Sequence, residues 1–177
     1  DLEESKADFD FLNKLPGKKI LLKGNHDYWW TTLKKMKVFL ENNNFENINF
    51  LYNNSYFVEN KIIVGTKGWS TISFNNEENY KILKRELIRL ELSIKDGIDR
   101  FGKNKEFIAF LHYPPFYKEE VGEDIDFIKL LKKYDIKRCY YGHLHGEAHK
   151  EAIEGVVDGI DFKLVSSDYL NFDLIKI

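Results

Sequence analysis

The sequence predicts an α/β chain, with mixed sheets forming a sandwich covered by helices. Three observations carry this. Short runs such as Lys19 to Lys23, Phe107 to Leu111 and Arg138 to Tyr141 read as strands, and each leads into a histidine-bearing turn. Strand and helix patterns alternate early in the chain, while hairpin spacing dominates its middle and end. Residues 77–101 place Leu83, Leu87, Leu90, Ile94 and Ile98 at helical spacing.

The elements follow in order. Leu2, Phe9, Leu12 and Leu15, separated by charges, predict a surface helix stopped by Pro16-Gly17. Ile20-Leu21-Leu22 is apolar at successive positions, as in a strand buried on both faces. Asp27 is placed to cap a helix reaching about Asn42, with Trp30, Leu33, Val38 and Leu40 on its apolar side. Ile48 to Leu51, Tyr56 to Val58 and Lys61 to Gly65 read as a three-strand meander turning at Asn53-Asn54 and Glu59-Asn60. A helix over Ile125 to Tyr134 precedes the Arg138 strand. Gly155 to Val165 is a hairpin turning at Asp158-Gly159, and Leu170 to Ile177 reads as a last strand.

Composition bounds the function. The 177 residues fit one domain, 1–177, with a sizeable core at 43% hydrophobic content. A net charge of −2 gives no general basic field for nucleic acid. Cys139 is the sole cysteine, so no internal disulfide forms, which fits a reducing cytoplasm. No apolar stretch approaches the ~20 residues of a membrane span. The excess of Lys over Arg, with plentiful Asn and Ile, suggests an AT-rich bacterial genome. The chain opens on Asp1 rather than Met, and residues 2–15 already read as a packing helix. The expectation is the remainder of a longer product.

Four of the five histidines lie in three turns: Gly24-Asn25-His26-Asp27, His112-Tyr113-Pro114-Pro115 and Gly142-His143-Leu144-His145-Gly146. Asn oxygen and imidazole nitrogen are metal-ligand atoms. Each turn alone reads as ordinary polar loop chemistry, since Asn and Asp favour turns. All three at strand ends, where sheets of this kind bind ligands, point to one site. Asp27 is the sole carboxylate beside the turns at ligand spacing, so a two-cation site would be short of negative charge. Other candidates have simpler readings. His149 reads as a surface residue, Asp168 as a turn residue, Cys139 as buried and inert, and Trp29, Trp30 and Trp69 as core. Phe116 and Tyr117 stand between core and pocket wall.

The order GNHD, then a single His, then GHLH resembles the calcineurin-like metallophosphoesterase superfamily. Gly65-Thr66-Lys67-Gly68-Trp69, His112-Tyr113-Pro114-Pro115-Phe116 and Tyr141-Gly142-His143 resemble its small bacterial single-domain members. The resemblance implies a four-layer αββα sandwich of two mixed sheets. It implies two divalent transition metals (Mn, Fe, Zn, Co or Ni), with Asn25, His112 and His143 on the second metal and His145 on the first. It implies hydrolysis of a phosphoester by a metal-bound hydroxide, His26 acting as general acid and Asp27 orienting His26 through its ring N–H. The family's D-x-H and G-D turns do not occur before Gly24. The expectation is therefore a sandwich missing its N-terminal strands, with an open edge at Lys19 to Lys23, weak metal binding and impaired turnover. The implied partner is a small phosphoester or nucleotide, without a membrane. A non-catalytic scaffold relative and a nuclease relative acting on DNA are the rival readings.

Overall fold

Two sheets face each other, and each carries helices on its outer side. The computed structural model describes residues 1–69, 77–120 and 125–177. Helix α1 (Lys6–Lys14) leads through Pro16-Gly17 into β1 (Lys19–Leu22). Helix α2 (Leu33–Asn42) returns to β2 (Ile48–Leu51). Strands β3 (Tyr56–Val58) and β4 (Lys61–Thr66) precede the long α3 (Glu77–Phe101) and β5 (Glu106–Leu111). Helix α4 (Asp126–Lys133), β6 (Arg138–Tyr141), β7 (Gly155–Val157) and β8 (Ile160–Leu164) complete the chain's regular elements.

The smaller sheet is the parallel pair β1-β2, in register from Lys19↔Ile48 to Leu22↔Leu51. The larger is six-stranded, in the order β3-β4-β5-β6-β8-β7. Its four inner strands are parallel, and the outer pairs β3-β4 and β8-β7 are antiparallel hairpins. Between the sheets lie Leu51, Ile63, Ile108 and Tyr140, with Ile20, Leu22 and Phe110 against them. Phe9, Met36, Phe39 and Phe50 join α1 and α2 to the smaller sheet. Leu83, Leu90, Ile94, Phe127 and Leu131 join α3 and α4 to the larger one. The layers are thus helix, sheet, sheet, helix, a mixed α/β sandwich.

Helix α3 sits so close to the larger sheet that a Cβ at Gly97 would stand 2.8 Å from Ile62 Cγ2 and 2.9 Å from Phe107 Cε1. The parallel inner strands all end on the same side of the sheet. That places the His112 and Gly142 turns side by side.

Several expectations need correction. Asp27 caps no helix: α2 starts at Leu33, and the Thr32 hydroxyl accepts from Lys35 N–H at 3.4 Å. Its buried side is Met36, Phe39 and Leu40, while Val38 is exposed. β2, β3 and β4 form no meander, because β2 belongs to the other sheet. β1 is half-exposed rather than buried on both faces. Among the described residues it pairs with β2 alone. Residues 170–177 form turns and coil instead of a strand, although Ile175 and Ile177 still pack between the sheets. Apolar alternation signals burial, and here a tail achieves it without pairing. No helix of the described residues is long and apolar enough to cross a membrane.

Candidate functional site

The three histidine turns meet where the two sheets' strands end. The end of β1 delivers Asn25, β5 runs directly into His112, and β6 is followed by Gly142-His143. Backbone bonds stitch the larger sheet's turns together. His112 and Tyr113 N–H both donate to the Lys67 carbonyl, at 3.1 and 2.9 Å. The Gly142 N–H donates to the His112 carbonyl at 3.2 Å. Gly24 lets β1's end approach this sheet: a Cβ there would lie 3.2 Å from His112 Cε1 and 3.3 Å from Asp27 Oδ2.

Asn25 Oδ1 stands 2.6 Å from His112 Nε2, which stands 3.2 Å from His143 Nδ1. A proton on His112 Nε2 can be donated across only one of the two gaps, and with each ring's proton on its other nitrogen all three atoms present lone pairs to the same point. The cleft around them, about 340 Å³, is lined by Leu22, Gly24, Asn25, His26, Asp27, His112, His143 and His145. His112 is pushed down to about 4, chiefly by burial and then by the neighbouring charges of His143, Lys67, His145 and His26. His143 is lowered for the same reasons, burial first. Both imidazoles are therefore held neutral, the state in which they ligate. His143 also adopts φ +74°. A non-glycine residue in that region stores strain of ~1–3 kcal/mol, and such residues concentrate at functional sites.

His26 is exposed in the cleft. Its ring partner is the Tyr28 hydroxyl, 3.4 Å from Nδ1. Asp27 differs from the expectation: its Oδ2 accepts the Gly24 N–H at 2.5 Å, shaping the turn instead of orienting His26. His145 lines the same cleft, with Nδ1 2.7 Å from Asp168 Oδ1.

Asp168 was legible only as a turn residue, yet it clamps the last motif. Oδ2 also accepts the Gly146 N–H at 3.0 Å and lies 3.2 Å from His149 Nε2. The carboxyl is lowered well below its ordinary value by the Gly146 N–H and then by the two histidines. His149, expected at the surface, is mostly covered. No sequence spacing marks this clamp, because residues 145 and 168 meet only through the β7-β8 hairpin. Behind it the Tyr141 hydroxyl donates to the Ile153 carbonyl at 2.7 Å and accepts the Ile153 N–H at 2.6 Å. Phe116 and Tyr117 are core, while Trp29 and Trp30 are partly buried and pack against the α1–β2 aromatic cluster. Trp69 packs beside the site, 5.4 Å from Tyr113. Cys139 is fully buried, and burial raises its thiol far above the ordinary range.

The donor set fits one divalent ion with positions left open: two imidazoles and an amide oxygen, all neutral. Among the described residues no three His, Cys, Asp or Glu side chains gather as a metal-holding group. A second ion would need carboxylates beyond Asp27, the one carboxylate that these turns place in the cleft.

A mixed sandwich with Asn and His side chains gathered at its strand ends defines the class as an α/β sandwich with a polar cleft at the strand ends. Within it, this chain belongs to the calcineurin-like phosphoesterase family, whose model matches residues 2–147. The match takes in all three turns. Members of this family are generally metal-dependent phosphoesterases. A solved crystal structure resembles the chain with a TM-score of 0.57 at 14% identity, over 91% of this chain and 62% of that one. That likeness shows the fold alone, and the chain spans 62% of that structure's length. No protein of curated function matches.

Proposed function

We propose that the chain hydrolyses a phosphoester of a small molecule or nucleotide, in the cytoplasm, with Asn25, His112 and His143 holding a divalent transition metal. What supports this most is the approach of Asn25 Oδ1, His112 Nε2 and His143 Nδ1 to within 2.6 and 3.2 Å of one another at the strand ends of two sheets. A divalent ion held there would supply Lewis acidity toward a phosphoryl oxygen and acidify a bound water.

The chain's own residues do the rest. His112 and His143 stay neutral and ready to ligate because burial disfavours their charged forms. His145, anchored by Asp168, lines the same cleft and would be the imidazole donor if a second ion were held there. His26, exposed in the cleft, would give a proton to the leaving oxygen, with the Tyr28 hydroxyl beside its Nδ1. Asp27 keeps the turn closed and adds negative charge to a cleft whose other donors are neutral.

The test is metal analysis of the purified protein, with turnover of a phosphomonoester, a phosphodiester and a nucleotide. Asn25→Ala and His112→Ala should each lose metal and turnover together. Full metal occupancy in both variants would overturn the assignment. Metal bound without turnover of any ester would favour a non-catalytic scaffold relative, a reading favoured by the neutrality of the donor set.

A further inference from the structure

Next to the histidine cleft lies a second concentration of charge that the metal site does not use. Lys23 follows β1, Lys67 follows β4, and Arg85 and Arg89 lie one turn apart on α3. Among the described residues one carboxylate serves this group. Glu86 is fully buried on α3. Its Oε2 accepts the Thr66 hydroxyl at 2.6 Å, and Oε1 takes Arg89 Nη1 at 2.6 Å with Arg85 Nε 3.7 Å away.

The Glu86 network explains itself structurally: it ties α3 to the end of β4. It does not explain the lysines. Lys23 and Lys67 make no ion pair with any described carboxylate. Lys67 instead lies over aromatic rings, 4.4 Å from the Trp69 centroid and 5.6 Å from that of Tyr113. It is half-buried and crowded. Burial lowers its pKa, Glu86 opposes that, and Lys23, Arg85 and Arg89 add to it. Four cations around one committed carboxylate is an arrangement that an incoming anion relieves.

The cluster is continuous with the cleft. The Tyr113 ring lies 4.2 Å from that of His143, so Lys67, Tyr113 and His143 form one wall. The crevice between Lys23, Asn53, Lys67, Glu86 and Arg89 shares Leu22 with the histidine cleft. At about 20 Å³ it has room for a water and no more, so a larger group would sit at its mouth. Trp69 Nε1, buried, has no hydrogen-bond partner among the described residues.

We propose that Lys67, flanked by Lys23 and Arg89, is a subsite for a second anionic group of the substrate. The favoured substrates would then be phosphoesters bearing a further phosphate or carboxylate beyond the scissile one. This rests on the phosphoesterase reading for its catalytic meaning, but the anion site itself is testable without it.

The first arm uses chelator-treated full-length chain and inorganic phosphate, following the ¹⁵N indole signals of the three tryptophans. Trp69→Phe identifies the signal of interest. The Trp69 signal should shift saturably, the shift should weaken ~10-fold or more in Lys67→Met, as expected for losing a charged hydrogen bond, and Lys67→Arg should restore it. Lys163→Met, changing an exposed lysine on β8, should leave it unaltered. A Trp69 signal that ignores phosphate, or shifts equally in Lys67→Met, overturns the subsite.

The second arm compares phenyl phosphate with carboxyphenyl phosphate on the metal-loaded enzyme. Lys67→Met should lower kcat/KM ~10-fold for the carboxylated ester while sparing the plain one. Equal loss on both overturns the subsite. Hydrolysis of neither by the unmutated protein, with the Trp69 response intact, overturns the aryl-monoester part of the phosphoesterase reading and leaves the anion site supported.

Discussion

Glycine-to-alanine substitutions at three positions test how the strands are stacked around the site. Gly65 lies in β4 opposite Phe110 of β5. A Cβ there would stand 2.3 Å from the Phe110 carbonyl oxygen and 2.8 Å from Leu51 Cδ2. Carbon atoms sit comfortably at ~3.5–4.0 Å. The strands would have to part by about 1 Å in the ladder that carries His112. The obstacle is backbone, which cannot rotate away, so the cost belongs at the upper end of the ~1–3 kcal/mol typical of overpacking. For a chain of this length that is a Tm drop of about 6–12 °C.

Gly24 meets a different obstacle, the His112 ring at 3.2 Å. A ring can yield by a few tenths of an ångström. Gly24→Ala should therefore cost less than ~1 kcal/mol, but it displaces a proposed ligand and should lower metal affinity ~10–100-fold. Gly142 sits inside the last motif, yet a Cβ there finds nothing nearer than 3.9 Å. Its alanine variant should stay within ~0.5 kcal/mol of the parent. Thermal unfolding by circular dichroism and calorimetric metal titration read all three. A Gly65→Ala protein melting within ~2 °C of the parent would refute the β4–β5 stacking on which the His112 placement depends.

Four further outcomes are expected. His26→Asn should slow hydrolysis of alkyl phosphoesters by ~10²–10⁴-fold while sparing nitrophenyl esters, whose leaving groups need little protonation, and metal content should hold; equal losses on both esters, or loss of metal, would remove the general-acid role. Asp168→Ala frees His145 and Gly146, so a second metal equivalent should bind ~10–100-fold more weakly in a calorimetric titration while the ion on Asn25, His112 and His143 keeps its affinity, and an unchanged second affinity would separate His145 from the site. In metal-free protein the His112 ring should stay neutral until pH is near 4. The unfolded chain binds that proton first, so stability is unaffected above the ordinary histidine range, erodes as pH falls from about 6.5 to about 4, and levels below; a His112 proton titration near pH 6.5 by NMR would contradict this. His143→Gly should be more stable than His143→Ala by ~1 kcal/mol in urea, because φ +74° suits glycine, and equal midpoints would mean that the turn is unstrained.

How much of this was legible in the sequence depends on whether the signal was local. The helix over 77–101 and the hairpin at Asp158-Gly159 matched residue for residue or nearly so, because periodicity and turn chemistry are written in neighbouring positions. The histidine turns were legible because strand ends and glycines announce them. Strand partnership was not: β2 follows the spacing of β3 and β4 yet pairs with β1, a choice made by which face meets α2. The Asp168 clamp was hidden for the same reason, since Gly146 and His145 lie 22 and 23 residues away across a hairpin.

The Asp27 correction shows how a local motif can mislead about role. Adjacency to His26 suggested a carboxylate steering an imidazole, but consecutive residues in a tight turn point their side chains apart. A carboxylate two or three positions on from a backbone N–H finds that N–H instead. Asp27 closes on Gly24, and the turn so formed is what leaves Asn25 facing His112. The aspartate thus acts on the proposed ligand through the backbone rather than on the acid through its ring. Asp27→Asn, which keeps an acceptor oxygen, should preserve the turn far better than Asp27→Ala.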